Sequence, residues 1–287
     1  MHSIRSILVV MTPNRPEDYA LDRARQIAKI TGAHLHLLVC DRNSVHGDYL
    51  QHAAKQLQAE NISVSTQQSW RDNFHETIIQ AQRAHNCRLV VKQHYPENPL
   101  KRALLTPDDW KLLRYSPVPV LIVKSSQIWS QDGTILAAVD VGNSGSEHKA
   151  LHASLIRNAL AAAEITGARV HVFSAYPAPM LSAADPTFQL RETIEARYRT
   201  ECQKFVEEFG LDPANMHLKE GPADVLIPRM ANALGAVLTV VGTVARTGLS
   251  GALIGNTAEV VLDALETDVL VVKPKNVMDY LENQLQK

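Results

Sequence analysis

Short apolar runs recur along the chain, each closed by a polar or turn-forming residue and each followed by a stretch with helical spacing. In the first half they are Ile7-Leu8-Val9-Val10-Met11-Thr12, Arg88-Leu89-Val90-Val91 and Pro119-Val120-Leu121-Ile122-Val123-Lys124. The second half repeats them as Ile135-Leu136-Ala137-Ala138-Val139-Asp140, Ala236-Val237-Leu238-Thr239-Val240-Val241 and Val269-Leu270-Val271-Val272-Lys273-Pro274. A run that is apolar throughout, without alternation, suits a strand of a parallel sheet covered on both faces. The first helix of each half ends on the same punctuation, Thr31-Gly32-Ala33-His34 and Thr166-Gly167-Ala168-Arg169, with the glycine closing the helix before the next strand.

The economical reading is one β-α-β-α-β-α-β-α-β unit written twice. The polar, aperiodic stretch 125–134 separates the copies, giving a domain over 1–126, a linker over 127–134 and a second domain over 135–287. In the second copy the prolines of 177–186 mark a loop before a long helix at 190–209, Pro222 suits the first turn of the next helix, and 276–287 has the pattern of a short amphipathic helix. Strands joined by helices must run parallel through right-handed crossovers, and ligands of such sheets bind beyond the carboxyl ends of the strands where the chain direction across the sheet reverses. That rule selects the ends of the first and fourth strands of a copy, where Asp140 and Gly242 fall.

Charge adds little. Lysine plus arginine number 29 and aspartate plus glutamate 30, a formal net charge of −1, which gives no electrostatic reason to expect nucleic acid or an anionic membrane as partner. No apolar run reaches the roughly 20 residues that span a bilayer, and Met1-His2-Ser3-Ile4-Arg5 leads straight towards a strand, so a cytoplasmic protein is expected. Cys40, Cys87 and Cys202 form no paired motif and read as reduced and mostly buried.

Candidate chemistry concentrates in 237–259, a buried strand, a glycine-rich loop and a helix start. Asn256 or Thr257 can cap the helix, Arg246 adds a fixed positive charge, and unpaired helix N–H groups behind glycines attract anions. The pattern is neither the P-loop nor the dinucleotide fingerprint. It resembles the nucleotide loop of the universal stress protein family, which runs Gly, two residues, Gly, nine residues, Gly, then Ser or Thr. Gly242 and Gly255 match at the right spacing, Ala245 stands for the second glycine and Asn256 for the hydroxyl residue. The first copy's Thr-Pro-x-Asp-Trp run (106–110) and Gly-Asn-Thr-Ala-Glu (255–259) resemble tandem members of that family.

The resemblance implies two tandem, doubly wound, five-stranded α/β domains of strand order 3-2-1-4-5, paired as an internal pseudo-dimer through edge strands such as 121–123 and 270–272, or further as a homodimer. It implies an adenine nucleotide, ATP or ADP with magnesium, in the second copy. Asp140 would bind ribose or the adenine amino group, Ala138 and Ala175 would line the adenine pocket, and Gly242, Ala245, Arg246, Gly255, Asn256 and Thr257 would hold the phosphates. It also implies a role in stress survival, including DNA damage. In the first copy Thr12 stands for Asp140, Lys92 for Gly242, and Tyr95 and Pro96 for Ala245 and Arg246, while Asp108 and Asp109 would repel a triphosphate, so that copy is expected to have lost nucleotide binding. His148 and His152, four apart on a helix, have no third ligand at a companion spacing, which argues against zinc. A slow ATPase using Arg246 lacks a base to activate water, and a nucleotide-independent interaction protein is the remaining alternative.

Overall fold

The computed structural model describes residues 4–13, 15, 17–95, 105–179, 190–243 and 256–284. In the first half, β1 (Ser6–Met11), α1 (Tyr19–Thr31), β2 (His34–Cys40), α2 (Gly47–Ala59), β3 (Val64–Ser69), α3 (Phe74–Ala84), β4 (Leu89–Gln93), α4 (Pro107–Tyr115) and β5 (Val120–Val123) follow one another. The second half gives β6 (Thr134–Ala138), α5 (Ser146–Thr166), β7 (Arg169–Tyr176), α6 (Arg191–Phe209), β8 (Met216–Glu220), α7 (Ala223–Ala233), β9 (Ala236–Gly242), α8 (Asn256–Ala264), β10 (Asp268–Val272) and α9 (Lys275–Gln284).

Each half has the order 3-2-1-4-5, yet the two do not form separate sheets. The strands run β3-β2-β1-β4-β5-β10-β9-β6-β7-β8 as one ten-stranded sheet. All neighbours are parallel except at the centre, where β5 and β10 meet antiparallel with Val120, Leu121 and Ile122 opposite Val271, Leu270 and Val269. The strands expected to pair the halves therefore do so. All four residues of β5 and all five of β10 are buried, and an apolar edge of that kind needs a partner strand.

Because successive strand residues point to opposite faces, Ile7 and Val9 join one core with α1, α2, α5 and α6, while Leu8 and Val10 join another with α3, α4, α7 and α8. The predicted helix ends are found: Gly32 (φ 68°) and Gly167 (φ 71°) take left-handed conformations and donate to the carbonyls of Ala28 and Ala163. Pro222, expected in the first turn of α7, stands instead just before it at the N-cap. The tail helix α9 buries Val277 and Leu281.

The junction of the halves is polar as well as apolar. Lys124, just past β5, donates through Nζ to the carbonyls of Leu262 (2.6 Å) and Leu265 (2.9 Å) at the end of α8. Lys273, just past β10, donates to those of Leu113 (2.6 Å) and Ser116 (3.0 Å) at the end of α4. Each half thus caps the helix that precedes the last strand of the other. The connection between halves is anchored too: Asp268, wholly buried, accepts from Arg23 Nε (2.7 Å), Trp129 Nε1 (2.9 Å) and the backbone N–H groups of Lys124 (3.0 Å) and Ser125 (3.1 Å).

Candidate functional site

A cavity of about 830 Å³ opens beyond the carboxyl ends of β6, β7 and β9, within the range of small-molecule sites. Its place follows from the topology, since β6 pairs with β7 on one side and β9 on the other, and the chain leaves these strands towards opposite faces. Five of the residues read from the sequence line it together: Ala138, Asp140, Ala175, Gly242 and Thr257. Ala138 ends β6 opposite Val241, and Ala175 lies one residue short of the end of β7. Their small side chains leave the floor open.

Asp140 follows β6 in a loop held by two contacts to β7. The N–H of Val139 donates to the Phe173 carbonyl (2.9 Å), and that of Val141 to the buried Ser174 hydroxyl (3.3 Å). The Asp140 carboxylate reaches solvent through the mouth, but the surrounding protein still pushes its carboxyl above the usual range, with the charge of His148 and the Gly142 N–H pulling the other way. Gly242 closes β9, and its missing side chain is required by packing: a Cβ there would lie 2.6 Å from Leu151 Cδ2 of α5. Thr257 lies in α8 one residue after Asn256, and the residues just before this helix lie outside the described ones. Ala245, Arg246 and Gly255, together with the Asn256 side chain, lie outside the described residues.

The walls include residues that the sequence reading did not assign to the site. His148, Leu151 and His152 come from α5, Tyr198 from α6, and Pro222, Ala223 and Ile227 from the start of α7. His152 is 6% exposed, and burial, helped by the charge of His148, pulls it down to about 4 although its ring donates to the Asp140 carbonyl. It is therefore neutral, and among the described residues its Nε2 has no hydrogen-bond partner. The His148 and His152 rings stand edge to face, 6.3 Å apart, and among the described residues no cluster of three His, Cys, Asp or Glu is placed to hold a metal. The sequence signal for His152 was helical spacing alone. Tyr198 carried none, because its approach depends on how α6 crosses α5.

The first half differs at the same place, and the sheet register sets a different residue against Gly242 than the sequence does. Val10 pairs with Lys92 as Ala138 pairs with Val241, and Gln93 pairs with Val123 as Gly242 pairs with Val272. Gln93, not Lys92, is therefore the counterpart of Gly242. Its buried side chain turns to α1 and accepts from the Tyr19 N–H (2.7 Å). Lys92 faces the opposite side, where Nζ donates to Asp109 Oδ1 (2.6 Å), and His94 Nδ1 lies 2.9 Å from Oδ2. Burial works against the Asp109 carboxylate, but His94 and Lys92 outweigh it and hold its carboxyl well below the usual range. Asp109 also closes a capping box with Thr106 at the start of α4. It is thus an internal counter-ion rather than a charge repelling ligands from a mouth. Pro96 lies outside the described residues.

The sequence profile of the Universal stress protein family matches residues 3–124 and 133–273. Universal stress protein E of Salmonella typhi is 31% identical over 303 residues, covering 96% of this chain and 96% of that protein. Universal stress protein E of Escherichia coli (strain K12) is 30% identical over 303 residues, covering 96% and 95%. A crystal structure of a putative universal stress protein from Pseudomonas aeruginosa UCBPP-PA14 superposes with a TM-score of 0.91 at 55% identity, covering 100% of this chain and 99% of that one. A universal stress protein from Archaeoglobus fulgidus DSM 4304, at 17% identity and a TM-score of 0.62 over 95% and 99% of the two chains, shares the fold.

Proposed function

The chain belongs to the universal stress protein family as a tandem member, and from that premise we propose that its second half binds ATP or ADP in the cavity beyond β6, β7 and β9. The observation that carries the reading is the meeting of Ala138, Asp140, Ala175, Gly242 and Thr257 around one cavity large enough for a nucleotide. Asp140 supplies an acceptor for ribose hydroxyls or an amino group. The N-termini of α7 and α8 both reach its wall, and their free N–H groups favour an anion. Magnesium would arrive with the phosphates, to which it binds while keeping several waters, and the Thr257 hydroxyl is the described side chain suited to complete its shell. In this reading the protein acts in the cytoplasm as a nucleotide-dependent survival factor under stress, including DNA damage.

Thermal unfolding with ATP, ADP and AMP, each with and without magnesium, tests the binding. Nucleotide at 100 times its dissociation constant adds about 2.7 kcal/mol to stability. Asp140→Ala should weaken binding about 10- to 100-fold, the loss expected for a hydrogen bond to a charged group. If no nucleotide shifts the transition, the protein works through its surface alone. In cells, survival after DNA damage should fall when Asp140→Ala replaces the native protein, and unchanged survival would detach that role from the site.

A further inference from the structure

Tyr198 bears on the same cavity from outside the strand ends. It belongs to α6, is 8% exposed and lines the wall, with its ring 5.7 Å from that of Tyr176. Its phenol rests on Gly142, two residues beyond Asp140, so closely that a methyl group on Gly142 would collide with the hydroxyl and the ring. The glycine thus makes room for a phenol on the loop that carries the carboxylate. The Tyr198 hydroxyl also feels the Asp140 charge, which adds to burial in holding its proton on. A protonated phenol lining the same cavity as a carboxylate adds a donor and acceptor to its acceptor.

The first half carries a tyrosine at the corresponding place on its second helix. Tyr49 on α2 lies about two turns before Leu57, whose carbonyl accepts the N–H of Ile62 past the helix end. Tyr198 lies equally far before Val206, whose carbonyl accepts the N–H of Leu211. Asn61 (φ 60°) and Gly210 (φ 61°) close the two helices in the same left-handed conformation. The tyrosines are therefore counterparts. Tyr49 donates to Asp18 Oδ2 (3.4 Å) at the start of α1, so in the half whose pocket position is filled by Gln93 the phenol is taken by an internal acid.

We propose that Tyr198 is a specificity-determining residue of the nucleotide site, its hydroxyl joining Asp140 to recognise a ribose hydroxyl and so selecting ribonucleotides over their deoxy analogues. The inference rests on the reading of the cavity as an adenine-nucleotide site. A site that hydrogen-bonds a substrate hydroxyl rejects the analogue lacking it, because its own polar groups are then left unpaired.

The test is the affinity of the full chain for ADP, 2′-deoxy-ADP and 3′-deoxy-ADP, measured by calorimetry on the native protein, Tyr198→Phe and Gly142→Ala. The native protein should bind one of the deoxy analogues at least about tenfold more weakly than ADP. Tyr198→Phe should weaken ADP about 3- to 10-fold, leave that analogue unchanged and shrink the ratio by the same factor. Gly142→Ala, which displaces the phenol, should shrink it too. A purely packing role would weaken ADP and its analogues alike, so an unchanged ratio in Tyr198→Phe overturns the proposal while leaving the nucleotide site standing, as does a native protein that binds ADP and both analogues equally. A native protein that binds none of them removes the site itself and this proposal with it.

Discussion

Gly242 and Gln93 occupy one position in two copies of the same fold, and their difference separates an open strand end from a filled one. In the second half the absence of a side chain lets Leu151 approach; in the first, the glutamine amide occupies that space and ties β4 to α1. Gly242→Ala should therefore destabilise by about 1–3 kcal/mol through overpacking against Leu151, visible as a lower urea midpoint at unchanged slope. Equal midpoints would mean that Leu151 can turn aside. Lys92 falls against Gly242 in the sequence because a run such as Leu89-Val90-Val91-Lys92-Gln93 has no internal punctuation. A slip of one residue exchanges the faces of a strand, and only the pairing with its neighbours settles which side chain faces α1. Asp140 and Gly242 themselves were legible, since strand ends are marked by a change from apolar to polar or glycine. His152 and Tyr198 were not, because they reach the cavity through the crossing of helices.

At the scale of elements, the helices and central strands were written in the periodicity, but β3 (Val-Ser-Thr-Gln-Gln-Ser) and β8 (Met-His-Leu-Lys-Glu) were marked only by their turns, because edge strands carry polar residues. The crossed capping of α4 and α8 by Lys273 and Lys124 was equally hidden, since nothing local ties a lysine to a helix in the other copy. Lys273 is 3% exposed, and burial pulls its ammonium down to about 7, so near neutral pH a large share is an amine whose two N–H groups match the two carbonyls it faces. Lys273→Met keeps most of the stem and strands both carbonyls, at a cost of about 1–3 kcal/mol. The sign with pH discriminates further. Between pH 7 and the ordinary lysine value of 10.5 the unfolded chain holds more protons than the folded one, so the native protein gains stability on the variant as pH rises. A gap that stays flat or narrows over that range would show that Lys273 is charged in the fold.

Over the whole molecule, fusing the two sheets at β5 and β10 leaves one sheet with two free ends, and both ends carry histidines on adjacent strands. At the first, Ser63, His34, Ser65, His36, Gln67 and His85 form an unbroken hydrogen-bonded chain across β2 and β3, with the His36 and His85 rings stacked at 3.5 Å. At the other, His171 Nδ1 lies 2.8 Å from His217 Nε2 across β7 and β8, with the rings parallel. Burial lowers His34, His36, His171 and His217, and the charge that neighbouring histidines would carry lowers each of the first three further. A histidine whose folded value lies below 6.5 charges more readily in the unfolded chain, so its contribution is complete above 6.5 and is lost as pH falls towards the folded value. For His36, 1% exposed and pulled down to about 4, that loss is on the order of 3 kcal/mol by pH 4. Apart from Thr239, Asp268, the half-buried Gly242 and the lysine–glutamine end of β4, the central strands β4, β5, β10 and β9 are built of buried aliphatic residues. Acid should therefore open the molecule from its ends. Amide protection factors, which correct for the slower intrinsic exchange in acid, should fall between pH 7 and 5 in β3 and β8 before they do in β5 and β10, and His36→Gln should flatten the response at the first end alone. Simultaneous loss of protection in all four strands would mean that the ten strands unfold as one unit and that the histidines tune its total stability rather than its margins.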